Sequence, residues 1–231
     1  MPNDTGVTLG LDTSGGQLLV AARRGGKKSV RRVKGIQQER LLFKAVQAVL
    51  HQTGGTLAEV KKISLVRGPG RFTGIRIALT FASMMQQLNG ACVYGITLFD
   101  LIHRQVQDSP LFRRWKKEHT QGAVAVVLHA FREEYFLQIF DATSQPPRWL
   151  SREELLQQLA AYRGALLVAG NGKPGESLAQ LTQNMYALAA EKDCHVRPEV
   201  LLALAQDESL RPKALEPLYL KPARFEMVSP R

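Results

Sequence analysis

The chain has 231 residues, of which 45% are hydrophobic and 22% charged, with a formal net charge of +11. This length allows one large domain or two small ones, and the composition is ordinary for a globular protein with a packed core. No segment approaches the roughly 18 apolar residues of a membrane span, and residues 1–6 do not resemble a signal peptide. Cys92 and Cys194 are the only cysteines and show no metal or redox spacing, so we expect a cytoplasmic protein with reduced thiols.

The first half of the chain alternates between strand and helix patterns. Glycine pairs at 15–16 and 25–26 separate three short apolar segments, which predicts two antiparallel turns between three strands. Apolar residues then recur with helical spacing between 37 and 51. The predicted elements are strands at 8–11, 18–22 and 29–33, a helix at 37–51, a strand at 63–66, a helix ending at Leu88, a strand at 91–96 and a helix from Leu98.

The second half gives a weaker version of the same pattern. Segments 123–128 and 135–140 predict a strand pair, and a helix at 151–162 opens with Ser151 and Glu154 in capping-box spacing. A strand at 165–169 and a glycine-rich loop at 170–175 follow. The sequence therefore predicts two α/β lobes of related topology, residues 1–107 and 108–231, joined near 108–120.

The segment from Arg67 to Arg76, with the sequence RGPGRFTGIR, is the most distinctive motif. Two glycines and a proline predict a tight turn between a buried strand and a helix. Free amides at the start of that helix suit an anion. No Lys-Ser or Lys-Thr pair follows, so the motif is not a Walker-type loop.

This string resembles the Gly-Pro-Gly-x-Phe-Thr-Gly-x-Arg signature of the TsaB (YeaZ) family, which belongs to the bacterial machinery for threonylcarbamoyladenosine on tRNA. Segments 10–14, 95–98 and 215–220 are also similar to that family. The resemblance and the element order imply an α/β fold of the ASKHA (acetate kinase, sugar kinase, Hsp70 and actin) type, built from two ribonuclease-H-like subdomains.

The resemblance further implies a non-catalytic subunit, a pseudo-enzyme, that pairs with a TsaD-like transferase. A TsaE-like ATPase and tRNA join that complex, and a homodimer is expected when the chain is isolated. TsaD holds its metal with a His-x-x-x-His pair, whereas Leu98 and Ile102 stand in that region here. We therefore expect no cofactor and no metal in this subunit, and both nucleotide and metal on the partner.

The helix that follows the signature has two apolar stripes. Ile75, Ala78, Leu79 and Ala82 form one, and a second is rotated by roughly half a turn. The second stripe must meet either another helix of this chain or another protein, and the sequence leaves both possibilities open. The second stripe and its neighbours, together with two residues of the preceding helix, are the predicted interface. These residues are Leu41, Ala45, Thr73, Ile77, Phe81, Met84, Met85 and Leu88.

Three further hypotheses concern single sites. Asp12 and Thr13 end the first strand, where related enzymes carry a phosphate- or metal-facing acid, and they are either a vestige of that site or a turn cap. The alternative function is an active ASKHA phosphotransferase or a glycoprotease-like metalloenzyme. A basic hairpin is either a solvated surface or a tRNA contact. Its candidate RNA-contacting residues are Arg23, Arg24, Lys27, Lys28, Arg31 and Arg32.

Overall fold

The structure is a computed structural model, and it describes residues 6–35, 38–143, 145–210 and 215–221. The Cα positions divide the chain into two compact units. The first comprises the chain up to Leu101 together with Val196–Leu218, and the second comprises Ile102–His195 together with the segment from Tyr219. The sequence placed the boundary at 107/108 and assigned the whole C-terminal segment to the second lobe. The structure differs because Val196, Leu201 and Leu204 pack in a core cluster of the first unit.

The first unit is built on a five-stranded mixed sheet. Its strands are β1 (Val7–Asp12), β2 (Gln17–Arg24), β3 (Lys27–Lys34), β4 (Val60–Val66) and β5 (Cys92–Ile96), in the order β3-β2-β1-β4-β5. The strands β1, β2 and β3 are antiparallel neighbours, whereas β1, β4 and β5 run parallel. This arrangement confirms the predicted order of elements in the first lobe.

Helices cover both faces of this sheet. On one face, α1 (Gln38–Thr53) and α2 (Phe72–Asn89) pack on a core that includes Leu9, Leu11 and Ile63. Alternation along a strand sends neighbouring side chains to the opposite face, where α7 (Pro198–Ala203) lies. There the Ser64 hydroxyl donates to the carbonyl oxygen of Leu201 at 2.5 Å. Both faces of the central strands are therefore buried, which explains their continuous apolar runs.

The second unit repeats the same sheet topology. Its strands are β6 (Ala123–Phe131), β7 (Glu134–Phe140), β8 (Arg148–Ser151), β9 (Leu166–Gly170) and β10 (Ala187–Leu188), in the order β10-β9-β6-β7-β8. Again the first three are antiparallel neighbours and the remainder run parallel to β6. The helices are α3 (Leu98–Gln107), which begins in the first unit, then α4 (Pro110–Glu118), α5 (Arg152–Ala161) and α6 (Leu178–Leu181). Two copies of this topology confirm the predicted two-lobed ASKHA-type fold.

The predicted connection at 108–120 is largely a helix, α4, rather than a linker. Ser109 caps it by accepting a hydrogen bond from the Phe112 amide at 3.1 Å, and Pro110 occupies the first turn. Trp115 is buried, while Arg114 and Lys117 are exposed. The basic cluster around Trp115 is thus the solvent face of an amphipathic helix.

Among the described residues, no helix is both long enough and apolar enough to span a membrane.

Candidate protein interface

Hydrogen bonds hold the signature loop, the segment that joins β4 to α2 within the Arg67–Arg76 motif, to the end of β1. The Arg71 amide donates to the carbonyl oxygen of Ser14 at 2.7 Å, and the Thr13 hydroxyl donates to the carbonyl oxygen of Gly74 at 2.7 Å. A Cβ atom on Gly70 would lie 2.4 Å from the Ser14 oxygen. Glycine is therefore required at this close approach of two backbone segments.

The loop is also fastened to the C-terminal segment of the first unit. The Leu218 amide donates to the carbonyl oxygen of Arg67 at 2.7 Å, and the Leu98 amide donates to that of Gly68 at 2.7 Å. Gly68 has φ 122°, and a Cβ there would lie 2.6 Å from the Leu218 oxygen. Gly68 and Gly70 thus lie against backbone atoms of Leu218 and Ser14, and these intrachain contacts fix the position at which α2 begins.

Asp12 lies buried beside this loop. One of its carboxylate oxygens accepts from the Ser14 amide at 2.9 Å and from the Ser14 hydroxyl at 2.6 Å. Burial raises the pKa of Asp12, while the hydrogen bonds from Ser14 and the charge of Arg32 lower it. Magnesium prefers several oxygen ligands in octahedral array, and a single acid whose charged form is disfavoured does not fit that need. The arrangement fits a turn cap, which is one of the two roles that the sequence allows for Asp12.

The two apolar stripes of α2 differ in how far they are exposed to solvent. Ile75, Ala78, Leu79 and Ala82 are all buried in the core of the first unit. The second stripe is split: Phe81 and Met85 are 6% and 2% exposed, whereas Met84 and Leu88 are 40% and 73% exposed. Burial within this chain thus holds for Phe81 and Met85, whereas Met84 and Leu88 remain exposed.

An open groove of about 470 Å³ lies between α1 and α2. Phe43 and Phe72 contribute exposed rings, with 43% and 54% of each residue accessible. The Arg76 guanidinium lies 5.1 Å from the centre of the Phe72 ring. The residues that line the groove are Glu39, Leu42, Phe43, Phe72, Thr73, Arg76, Ile77, Thr80, Phe81 and Met84.

Four of the eight predicted interface residues line this groove, namely Thr73, Ile77, Phe81 and Met84. The other four do not: Ala45 and Met85 are buried, Leu41 packs against the core, and exposed Leu88 lies one turn beyond Met84. Sequence reasoning missed Phe72 because it was treated only as part of the signature. Phe43 also lines the groove and was not among the predicted interface residues.

Leu98 and Ile102 lie in apolar surroundings, in the region where the catalytic relative has its His-x-x-x-His pair. Leu98 packs against the core of the first unit, and Ile102 is 1% exposed. The adjacent His103 stacks on the Phe140 ring, with 4.0 Å between ring centroids. Within the described ranges, no three His, Cys, Asp or Glu side chains are grouped to hold a metal ion.

A polar network fastens the glycine-rich loop at 170–175 in the second unit. Two nitrogens of Arg152 donate to the two carboxylate oxygens of Glu176, at 3.0 and 2.6 Å, and the Tyr135 hydroxyl donates to Glu176 at 3.1 Å. The hydrogen bond from Arg152 lowers the pKa of Glu176, whereas burial raises the pKa of Tyr135 to about 12. Glu133 pairs with both Arg152 and Lys173. The loop is held by ionic contacts within its own unit.

The basic hairpin is formed by β2 and β3 at the edge of the first sheet. Arg24 pairs with Glu59 and donates to the carbonyl oxygen of Gly54. Arg32 donates to the carbonyl oxygen of Val196 at 3.2 Å. These two candidate RNA-contacting residues therefore have structural partners.

The fold and these sites define the class of protein: a two-lobed ASKHA-type chain with a helix-pair groove. The family model for TsaD, tRNA N6-adenosine threonylcarbamoyltransferase, matches residues 36–109. YeaZ from Pseudomonas aeruginosa matches with a TM-score of 0.62 and 24% identity, covering 93% of this chain and 100% of that one. A protein with similarity to the peptidase YeaZ from Pseudomonas aeruginosa matches with a TM-score of 0.64 and 25% identity, covering 94% and 100%.

No curated protein sequence matches the chain. The signature string resembles that of the TsaB (YeaZ) family, and the solved structures that match nearly the whole chain include YeaZ from Pseudomonas aeruginosa.

Proposed function

We propose that this chain is the non-catalytic partner of a TsaD-like transferase in the modification of the tRNA anticodon-loop adenosine. We propose further that it binds the transferase through the groove between α1 and α2. The observation that carries this proposal is the groove itself, because it exposes large apolar side chains on two helices that otherwise pack on the sheet.

The groove has the composition of a protein interface. Such surfaces combine an apolar centre, enriched in aromatic residues and methionine, with a polar rim. Here Ile77, Phe81 and Met84 are apolar lining residues, and the exposed Phe72 ring also lines the groove. Polar residues complete the lining, namely Glu39, Thr73, Arg76 and Thr80. A flexible methionine side chain suits a surface that must adapt to a partner.

The choice of partner follows from the span of the family match. Residues 36–109 include both groove helices, so a TsaD-like protein has a related helix pair. Two such pairs can pack their side-chain ridges into each other's grooves. The same geometry allows two copies of this chain to pair when the transferase is absent, which accounts for the expected homodimer.

The non-catalytic role is supported by three residues. The side chains of Leu98 and Ile102 have no atoms that ligate a metal, and Asp12 accepts hydrogen bonds from Ser14. Nucleotide and metal would therefore be held by the transferase, in a cytoplasmic complex that also takes up a TsaE-like ATPase and tRNA. Calorimetric titration of the isolated chain with Mg-ATP and with zinc should give no binding heat. Tight binding of either would favour the phosphotransferase or metalloenzyme alternative.

Co-purification with a TsaD-like transferase tests the interface. Met84→Asp and Phe72→Asp place a charge at exposed groove positions and should leave the fold intact. We expect each to weaken binding at least about tenfold, as for a central interface residue. Met185→Asp is the matched control, because Met185 is 67% exposed in the second unit.

The control variant should bind the transferase like the unmodified chain. Unchanged binding by folded Met84→Asp and Phe72→Asp variants would overturn the groove assignment. Sedimentation of the isolated chain provides a second readout, since the same two variants should be monomeric at concentrations where the unmodified chain forms dimers.

A further inference from the structure

The hairpin of β2 and β3 concentrates positive charge at one edge of the first sheet. No acidic residue occurs between Asp12 and Glu39. The cations within that stretch are Arg23, Arg24, Lys27, Lys28, Arg31, Arg32 and Lys34. Because β3 is the edge strand, these side chains surround an open border of the sheet.

The charges occur on both faces of the hairpin. Ser29 hydrogen-bonds Gln52 of α1, so alternation places Lys27 and Arg31 on the α1 side of the strand. The neighbouring residues Lys28 and Lys34 fall on the opposite face. All four of these residues are exposed. The positive surface therefore wraps around the edge and is not confined to one face.

Four of these cations stand in two directly opposed pairs, of which Arg24 and Lys27 are one. Arg23 pairs in register with Lys28 across the antiparallel ladder. Like charges at such positions destabilise a sheet. In the part of the chain that the structure describes, neither an ion pair nor a side-chain hydrogen bond involves these five cations: Arg23, Lys27, Lys28, Arg31 and Lys34. The hairpin thus maintains a repulsive arrangement that folding alone does not need.

Edge protection does not account for this arrangement. Charged side chains prevent an edge strand from pairing with another chain, but this protection does not need like charges directly opposite each other. A protein interface is also a poor explanation, because interfaces have an apolar centre and are depleted in lysine. The hairpin surface offers only Val30, 39% exposed, as a large apolar side chain on β3. Surfaces that bind nucleic acid are polar and strongly positive, as this one is.

We propose that the β2–β3 hairpin binds the phosphate backbone of RNA through these five cations. The choice of tRNA as that RNA rests on the proposed function, while the polyanion chemistry rests on the hairpin alone. Residues four positions apart on a strand lie about 13 Å apart, so Lys27 and Arg31 present two separate positive charges on one face. Such contacts position an RNA without reading its bases. Arg24 and Arg32 instead stabilise the hairpin, through the ion pair with Glu59 and the hydrogen bond to Val196.

Binding of fluorescent unmodified tRNA, measured by anisotropy across a range of KCl concentrations, tests the proposal. The hairpin variant is K27Q/K28Q/R31Q/K34Q. The control variant, R114Q/K117Q/R163Q/K192Q, removes the same charge from exposed positions in the second unit. For the hairpin variant we expect at least about tenfold weaker binding at 0.1 M salt. The slope of log K against log salt should also fall by about 3. The control should change the slope by less than about 1.

Equal losses in both variants would overturn the proposal, since they would show that only total charge matters. Unchanged binding in the hairpin variant would also overturn it and leave a solvated, protective edge. Displacement of the tRNA by polyglutamate at equal charge would also overturn the proposal, because it would favour an acidic protein as the ligand. Co-purification of the hairpin variant with the transferase should stay normal, so loss of tRNA binding is distinguishable from failure of the groove interface.

Discussion

The Cβ position of Gly70 lies 2.4 Å from the carbonyl oxygen of Ser14, and the same oxygen accepts the Arg71 amide hydrogen bond at 2.7 Å. A methyl group at Gly70 must therefore push the signature loop away from the end of β1. We expect Gly70→Ala to lower the free energy of unfolding by about 1–3 kcal/mol, as overpacking does. Urea denaturation measures this. Gly16→Ala is the control, because a Cβ there has no atom within 4 Å; equal effects of both changes would contradict the account.

The pKa of Asp12 gives the first unit a pH dependence of predictable sign. Burial raises that pKa above its ordinary value of 3.8, against the opposing effect of Ser14. The folded chain then holds this proton more tightly than the unfolded chain, so stability is lost as the pH rises from 3.8 through the folded pKa. Asp12→Asn cannot ionise and still accepts from Ser14, so it should lose less stability over this range.

Urea denaturation of both proteins between pH 3.5 and 7 checks this difference. Glu118→Gln, which removes an exposed carboxylate in α4, should follow the unmodified chain. If the Asp12→Asn profile were parallel to that of the unmodified chain, the carboxyl group would not be linked to stability through its burial.

The ion pair between Arg152 and Glu176 should stabilise the second unit. Arg152→Met removes both of its hydrogen bonds to the Glu176 carboxylate and should cost about 1 kcal/mol, since 31% and 14% of the two side chains remain exposed. Arg152 lowers the pKa of Glu176 below 4.5. The stabilisation should therefore be present above pH 4.5 and disappear as the pH falls through the folded pKa.

Thermal melting of the Arg152→Met variant and of the unmodified chain, at pH 7 and at pH 3, measures this loss of stabilisation. Arg148→Met is the control because exposed Arg148 donates to the neutral side chain of Gln158 at 3.0 Å. A melting difference that persisted undiminished at the lower pH would show that the arginine acts by packing and not by charge.

The two cysteines should differ in reactivity. The Cys194 thiol is buried and accepts a hydrogen bond from the Gly170 amide at 3.2 Å, and burial raises its pKa. Since the thiolate is the reactive form, Cys194 should be slow to alkylate. Cys92 is partly exposed and should react first. Mass spectrometry after brief iodoacetamide treatment should find one label in the native chain and two after unfolding. Early labelling of a Cys92→Ser variant would contradict this.

The sequence predicted much of the first unit because its signals are local. Glycine pairs marked the hairpins, apolar alternation marked the strands, and the signature string marked the turn into α2. In the second unit the helix α4 was missed although Ser109 and Pro110 are a sequence signal for a helix start. The strand β8 was missed because four residues with a half-buried pattern carry little periodicity.

The groove could be predicted only in part, since periodicity finds an apolar stripe without showing what covers it. Phe81 and Met85 pack into the core, while Met84 on the same stripe stays exposed. That division depends on where α1 crosses α2, which no local pattern encodes. The role of Leu201 in covering the far face of the sheet is likewise a contact between residues 137 positions apart in the chain.

Reconstituted tRNA modification tests the central claim most directly. Formation of threonylcarbamoyladenosine would be followed with unmodified tRNA and threonylcarbamoyl-adenylate, using a TsaD-like transferase, this chain, or both. We predict no product from this chain alone and full activity only from the pair. With Met84→Asp the rate should fall at least about tenfold, and with Met185→Asp it should be unchanged. Product from this chain alone, or full activity with a folded Met84→Asp variant, would contradict the account.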